Sequence, residues 1–221
     1  MGSLKDFLTP RHVGQIRDYS SRAMASKPQW ARIAQEFGVE YWDGGRNTGY
    51  GGYRDDGRWL SIAKRFADEY RLTSAKSVLD IGCGKGFFLS ALSAQIPALE
   101  VSGLDISAYA INCAPKTQEL RLHLGSAHQL PFSDSSFDLV VAMNTLHNLK
   151  LPELVEALRE IVRVGRGPNA YVCVESFRNE EEKWNLMRWQ LTCQSFFSPR
   201  EWLWIFSQAG YEGDYEFIYF S

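Results

Sequence analysis

In the middle of the chain, short apolar runs alternate with segments of helical spacing. Ser77–Ile81 (SVLDI) is largely apolar, carries an acid near its end and runs into a glycine turn. That is the pattern of a strand buried on both faces. Gly86–Gln95 then sets Phe88, Ala91 and Leu92 at helical spacing, with Pro97 just beyond. Leu99–Asp105 and Leu120–Leu124 predict a second and a third strand, with a helix over Ser107–Cys113 between them that Pro115 stops. Phe137–Met143 predicts a fourth. In the next helix Pro152 sits in the first turn, Leu154, Leu158, Ile161 and Val162 make one apolar face, and Gly165 and Gly167 end it. Ala170–Glu175 predicts a fifth strand. Alternation at these lengths implies right-handed crossovers, and so a Rossmann-like α/β fold with a mostly parallel sheet and helices on both faces.

The flanks read differently. Residues 11–24 and 28–37 predict N-terminal helices, the second closed by Gly38, and a further helix runs from Arg58 to Arg71. Beyond the fifth strand, 180–194 reads as helix. Ser198-Pro199-Arg200-Glu201 is a capping box that launches a helix ending at Gly210, and Asp214–Phe220 is a last strand. Residues 1–72 are thus expected to form a helical cap with a loop, and 73–221 the α/β unit, within one structural domain.

Composition narrows the partners. With 221 residues, 45% of them hydrophobic, the chain can build one sizeable core. Lys+Arg 24 against Asp+Glu 26 leaves a net charge of −2. No basic stripe is available to neutralise phosphates, which disfavours nucleic acid as a partner. No apolar run approaches a membrane span, and the first residues lack a signal peptide's apolar core. Cys83, Cys113, Cys173 and Cys193 are scattered with no C-x-x-C pair, and read as buried free thiols. A cytoplasmic protein without metal or membrane contact is the expectation.

The chemistry is concentrated at Asp80-Ile81-Gly82-Cys83-Gly84-Lys85-Gly86-Phe87. Glycines let the chain turn sharply out of the strand and let a ligand approach the backbone. A dinucleotide fingerprint needs Gly or Ala where Phe87 stands. Asp80 would repel a pyrophosphate but suits a ligand carrying a sulfonium or ammonium. Asp105 ends the second strand 19 residues after Gly86, where an acid accepts hydrogen bonds from ribose hydroxyls. Ile106, beside it, can pack on an adenine ring. An adenosine ligand without phosphates fits all of these, and a nicotinamide oxidoreductase does not.

Through VLDIGCGKGFFL, VSGLDIS and GSAHQLPFSDSSFDLVVAMNTLHNL the sequence resembles the class I S-adenosylmethionine-dependent methyltransferases, of the methyltransferase-11 type that acts on small molecules. The resemblance covers about 77–176. It implies S-adenosyl-L-methionine as methyl donor and a small-molecule acceptor. It further implies that Asp80, Gly82 and Gly84 surround the methionine moiety, that Asp105 holds the ribose, that Ile106 and Ala127 flank the adenine, and that Asn144 faces the donor. Ser126 stands where the family usually has an acid, so Ser126 or His128 takes the adenine contact. The family's sheet usually has a sixth and a seventh strand. Here 11 residues follow Gly210, room for one, so six strands are expected, seven at most. A donor-binding domain that senses or scaffolds without catalysis is the alternative reading.

Methyl transfer from a sulfonium depends mainly on alignment and desolvation, and a base matters when the acceptor is a hydroxyl or a protonated amine. His147, after the fourth strand, is the candidate base, or else a hydrogen-bonded histidine fixing its loop. Glu175, ending the fifth strand, is expected to orient the acceptor or to pair with Arg178. Residues 41–54 hold five glycines, three tyrosines and two arginines. Such a stretch suits a lid, with Arg46, Tyr50, Tyr53 and Arg54 as acceptor-binding candidates, or else a tightly turned linker. The acceptor is expected to be a sugar, a sugar nucleotide or a secondary metabolite. The open edge of the last strand, with Tyr215, Phe217, Ile218, Tyr219 and Phe220, is expected to be covered by a homodimer contact or by 180–197.

Overall fold

The computed structural model describes residues 2–12, 17–117 and 119–221. Six strands form one sheet: β1 (Ser77–Ile81), β2 (Glu100–Asp105), β3 (Leu120–Leu124), β4 (Leu139–Met143), β5 (Ala170–Glu175) and β6 (Asp214–Ile218). Their order is β3-β2-β1-β4-β5-β6, and every pairing is parallel. The order reverses between β1 and β4, so the carboxyl ends of these strands open a crevice there.

The two-residue period of a strand sorts the core into two halves. Leu79, Ile81, Val140, Ala142, Val172 and Val174 face α8 (Leu151–Val164) and α10 (Pro199–Ala209). Val78, Val101, Leu139, Val141, Tyr171 and Cys173 face α5 (Arg58–Glu69) and α6 (Phe87–Gln95). Phe66 and Phe88 meet edge to face at 5.1 Å in that second half. The capping box forms as its sequence demands, with Ser198 N and Oγ both donating to Glu201 at 2.7 Å.

The flanks depart from the expected helices. The reading of 11–24 as one helix gives way to α1 (Thr9–His12) and α2 (Tyr19–Arg22), with residues 13–16 outside the described ones. Asp18 caps α2, accepting from the backbone of Ser20 and Ser21, so a new helix starts there. The helix expected over 28–37 is α3 (Lys27–Ala34). It ends before Gly38, because Phe37 turns to φ +49 and Gly38 instead starts α4 (Val39–Trp42). Between β2 and β3, α7 is short (Ala108–Asn112). The helix expected over 180–194 is α9 (Glu180–Trp189), and an irregular stretch follows, pinned where Gln194 N and Ser195 N donate to His147 O at 2.9 and 3.0 Å. Cys83, Cys173 and Cys193 are buried, but Cys113 is exposed. No described helix is long and apolar enough to cross a membrane.

The chain's own N-terminal residues cover the β6 edge, and of the expected 180–197 segment Asn185 Nδ2 donates to Phe220 O at 3.1 Å just beyond it. Tyr215 N donates to Ser3 O at 3.1 Å, and Lys5 N donates to Tyr215 O at 2.8 Å. Next to them Glu216, fully buried, accepts from Leu8 N (2.9 Å), Thr9 N, Thr9 Oγ1 (2.6 Å) and the Tyr171 hydroxyl. A buried carboxylate survives only when so satisfied.

Candidate functional site

The site begins where β1 ends. Gly82, Gly84 and Gly86 adopt φ of +75°, +55° and +71°, a region open to glycine at little cost. Space demands glycine at Gly82 as well: a Cβ there would lie 2.0 Å from Thr145 Oγ1. The turn is stitched to β2 by Gly82 N and Cys83 N, which donate to Leu104 O at 2.7 and 3.1 Å. Gly84 N donates to Asp105 Oδ2 at 2.7 Å, and Ser107 N to Asp105 Oδ1 at 2.8 Å. Asn144, just past β4, holds φ +54. A non-glycine residue kept in that region marks strain that its surroundings impose.

Two buried acids flank this turn. Asp80 and Asp105 are 2% and 6% exposed. Burial, and then the charge of Asp105, push the Asp80 carboxyl up to about 8. Burial also raises Asp105, against the lowering effect of its bonds to the Ser107 and Gly84 backbone. Asp80 Oδ1 has no hydrogen-bond partner, and among the described residues no cation pairs with either acid. A buried orphan carboxylate beside another is costly, and a cationic group placed between them would relieve that cost.

Of the adenine-side candidates, Ile106 is 60% exposed at the strand end and Ala127 is buried. Ser126 Oγ and His128 Nδ1 lie 2.8 Å apart, so the two residues weighed for the same contact are partners.

A lid lies over the turn. The Trp42 ring sits against Gly84, where a Cβ would approach it to 2.8 Å, and its Nε1 donates to Ser107 Oγ at 2.9 Å. Tyr50 stacks on Trp42 at 5.5 Å, and Tyr53 stacks on Phe87 at 5.3 Å. Lys85, inside the glycine loop, latches the lid through both Asp43 carboxylate oxygens at 2.7 Å and Tyr53 O at 2.9 Å. The Tyr109 hydroxyl adds a bond to Asp43 at 2.8 Å. Tyr50 keeps 40% of its surface accessible, yet desolvation raises its hydroxyl and the charges of Glu175 and Asp105 both reach it. Its ring meets those of Tyr41 at 5.3 Å and Tyr53 at 4.7 Å. Tyr41 in turn hydrogen-bonds the side chains of Tyr50 and Thr192. Arg54 is exposed, and Arg46 donates to Tyr50 O at 2.8 Å with its guanidinium over Trp189.

At the other wall, His147 and Glu175 are buried together. Glu175 N donates to His147 Nδ1 at 3.3 Å, and His147 Nε2 lies 3.5 Å from Glu175 Oε2. Accepting at Nδ1 places the neutral imidazole's proton on Nε2, facing Glu175. Burial depresses His147 to about 3 and lifts Glu175 to about 8, the latter against a bond from Gln190 and the charge of Arg17. The better base of the two is therefore Glu175, whose Oε2 has no hydrogen-bond partner. Arg178 pairs with Glu182 and not with Glu175. Sequence reasoning missed Tyr41, Trp42, Lys85, Gln190 and Thr192. Trp42 and Tyr41 lay inside the glycine-rich stretch, but nothing local signals the other three.

The methyltransferase domain family matches residues 78–167, the stretch that holds the glycine turn, both acids and β4. This stretch is similar to a methyltransferase domain, and the sheet and its flanking helices have the class I methyltransferase fold. The demethylmenaquinone methyltransferase of Lactiplantibacillus plantarum is 36% identical over 126 residues, 53% of this chain and 52% of that protein. Its counterpart from Staphylococcus aureus is 32% identical over 118 residues, 51% and 48% of the two chains. The chain thus spans about half the length of the curated relatives it matches. Among solved structures, the fold resembles the methyltransferase complexed with the Haloferax volcanii Trm112 activator (TM-score 0.55, 23% identity, 70% of this chain and 73% of that one). It also resembles the [4+2]-cyclase SpnF (TM-score 0.58, 20% identity, 76% and 62%). These likenesses speak for the methyltransferase fold and not for a reaction.

Proposed function

We propose that the chain is an S-adenosylmethionine-dependent methyltransferase acting on a small-molecule acceptor, with a sugar-linked compound as the leading class. One observation carries the reading: Asp80 and Asp105, buried and without a cation, flank a glycine turn whose backbone a ligand can approach. A sulfonium and an ammonium are the charges that such a pair would hold, and Asp105 is placed to accept from ribose hydroxyls. Bound there, S-adenosylmethionine supplies a methyl group activated by the positive sulfur.

The chain's residues then have distinct tasks. Trp42, Tyr50 and Tyr53 cover the turn and keep water from it, which favours a displacement that discharges a cation. The acceptor lies in a recess between Tyr41, Tyr50 and Glu175. Glu175 Oε2 takes the proton from an acceptor hydroxyl, or beforehand from an acceptor ammonium, freeing the lone pair that would displace the methyl group from sulfur and leave a neutral thioether. Gln190 anchors Glu175 through Oε1 and leaves Oε2 free, while His147 Nε2–H faces Oε2 at 3.5 Å without bonding it. Ser126 and His128 supply the polar contact on the adenine side.

Calorimetry tests the donor half and labelled-methyl transfer tests the reaction. S-adenosylmethionine and its demethylated product should bind, NAD should not, and label should pass to an acceptor from a panel of sugar-linked compounds. Binding of NAD in place of the donor would overturn the reading. Donor binding with no transfer to any acceptor would favour a sensor or scaffold.

A further inference from the structure

Outside the donor site the molecule gathers positive charge in one place. Arg17, Arg22 and Arg46 come from separate segments, and their guanidinium carbons lie 5.8, 5.0 and 5.7 Å from the centre of the Trp189 ring. Lys27 stands beside Arg22. Among the described residues none of these four meets a carboxylate. Arg22, 9% exposed, donates to Trp189 O at 3.2 Å and to Arg46 O. Lys27 donates to Met187 O and, at 2.6 Å, to Arg188 O. Arg17 contacts His12 O at 3.4 Å and His12 Nδ1 at 3.2 Å, while its buried Nε has no hydrogen-bond partner among the described residues.

An aromatic ring stabilises one guanidinium well, but three around it repel each other. Burial, and then the neighbouring charge of Arg46, lower Arg22 from its ordinary value. Burial and the charge of Arg22 bring Lys27 down to about 8. A cluster held this way lacks an anion.

Its position says what the anion belongs to. Gln190, next to Trp189, donates to Glu175 Oε1, and Arg46 donates to Tyr50 O at 2.8 Å. Glu175 and Tyr50 line the proposed acceptor recess. The recess is acidic, so the reacting end of an acceptor there is neutral or cationic, and any anionic part must lie outside it. We infer that Arg17, Arg22 and Arg46, gathered on Trp189 at the rim of the recess, form a subsite for the phosphate or diphosphate group of a phosphorylated acceptor. The guanidinium fork matches phosphate oxygens in pairs. The inference rests on the methyltransferase reading for what lies in the recess, but the subsite itself binds without the donor.

The test uses the full chain and two independent titrations, inorganic pyrophosphate and S-adenosylmethionine, each followed by calorimetry. Pyrophosphate should bind saturably, more tightly than orthophosphate if the group is a diphosphate, and more weakly as salt rises. Arg17→Gln and Arg46→Gln should each weaken pyrophosphate at least tenfold while leaving S-adenosylmethionine affinity within twofold. Arg159→Gln, which loses only an exposed pair with Glu156, should change neither. A wild-type protein that binds S-adenosylmethionine but no pyrophosphate would overturn the subsite, as would arginine variants that bind pyrophosphate like wild type. Arginine-dependent pyrophosphate binding in a protein that fails to bind S-adenosylmethionine would sustain the subsite and sink the methyltransferase reading instead.

Discussion

If Asp80 is one half of the donor's charge-binding pair, donor affinity must depend on pH in a specific way. In the free protein its carboxyl titrates at about 8, raised by burial and by the charge of Asp105. A bound sulfonium and ammonium favour the carboxylate, so the pKa falls on binding and a proton leaves. Below pH 8 each pH unit then costs close to tenfold in affinity, about 1.4 kcal/mol. Between pH 8, where the carboxyl is already half protonated, and pH 6 the loss comes to about fiftyfold, about 2.3 kcal/mol. Calorimetry at pH 6.5 in two buffers of different ionisation enthalpy should report release of nearly one proton. The ligand's own amino group titrates close to this range, so Asp80→Asn is the control: it should bind more weakly at pH 8 and lose the carboxyl's part of the slope. A wild-type affinity that is flat from pH 6 to 8, or an Asp80→Asn variant with the full slope, would refute the reasoning.

Two further outcomes follow from buried groups. His147, depressed to about 3 when folded, keeps its neutral form while the unfolded chain takes up a proton below about 6.5, so its contribution to stability is present above pH 6.5 and lost as pH falls toward 3. Glu175, raised to about 8, works in the opposite sense, costing stability as pH climbs from 4.5 to 8. Denaturant unfolding of His147→Gln and Glu175→Gln should therefore show opposite changes in slope against pH, and parallel curves would contradict both assignments. Glu216→Ala strands the donors of Leu8, Thr9 and Tyr171 and should cost about 1–3 kcal/mol for a buried donor left unpaired, with earlier proteolysis of the N-terminal residues. A loss below 1 kcal/mol would mean that this carboxylate does not hold the β6 edge cover.

The sequence by itself determined the central block and the donor side of the site. Strand and helix periods are set by neighbours a few residues apart, so SVLDI, LEVSGLD and AYVCVE announced their strands. Asp80 and Asp105 followed, because a carboxylate at a strand's end in an open parallel sheet has one place to go. The glycines were equally legible, since a sharp turn and a Cβ clash at Gly82 leave no other choice. Tertiary structure decided everything that joins distant segments. The β6 edge is covered by Leu4, 211 residues from Tyr215, and no local pattern encodes that pairing. The helix expected over 180–194 stops at Trp189 because the stretch beyond it is drawn to His147 O. His147 read equally well as a rim base or a loop anchor, and only its burial beside Glu175 made it a weak base with a fixed tautomer. Arg46 was a candidate for the acceptor on its glycine-rich stretch alone, and Arg17 and Arg22 looked like ordinary charges along the chain. Packing against Trp189 set them side by side, because cations separated in sequence become neighbours only where the core brings their elements together.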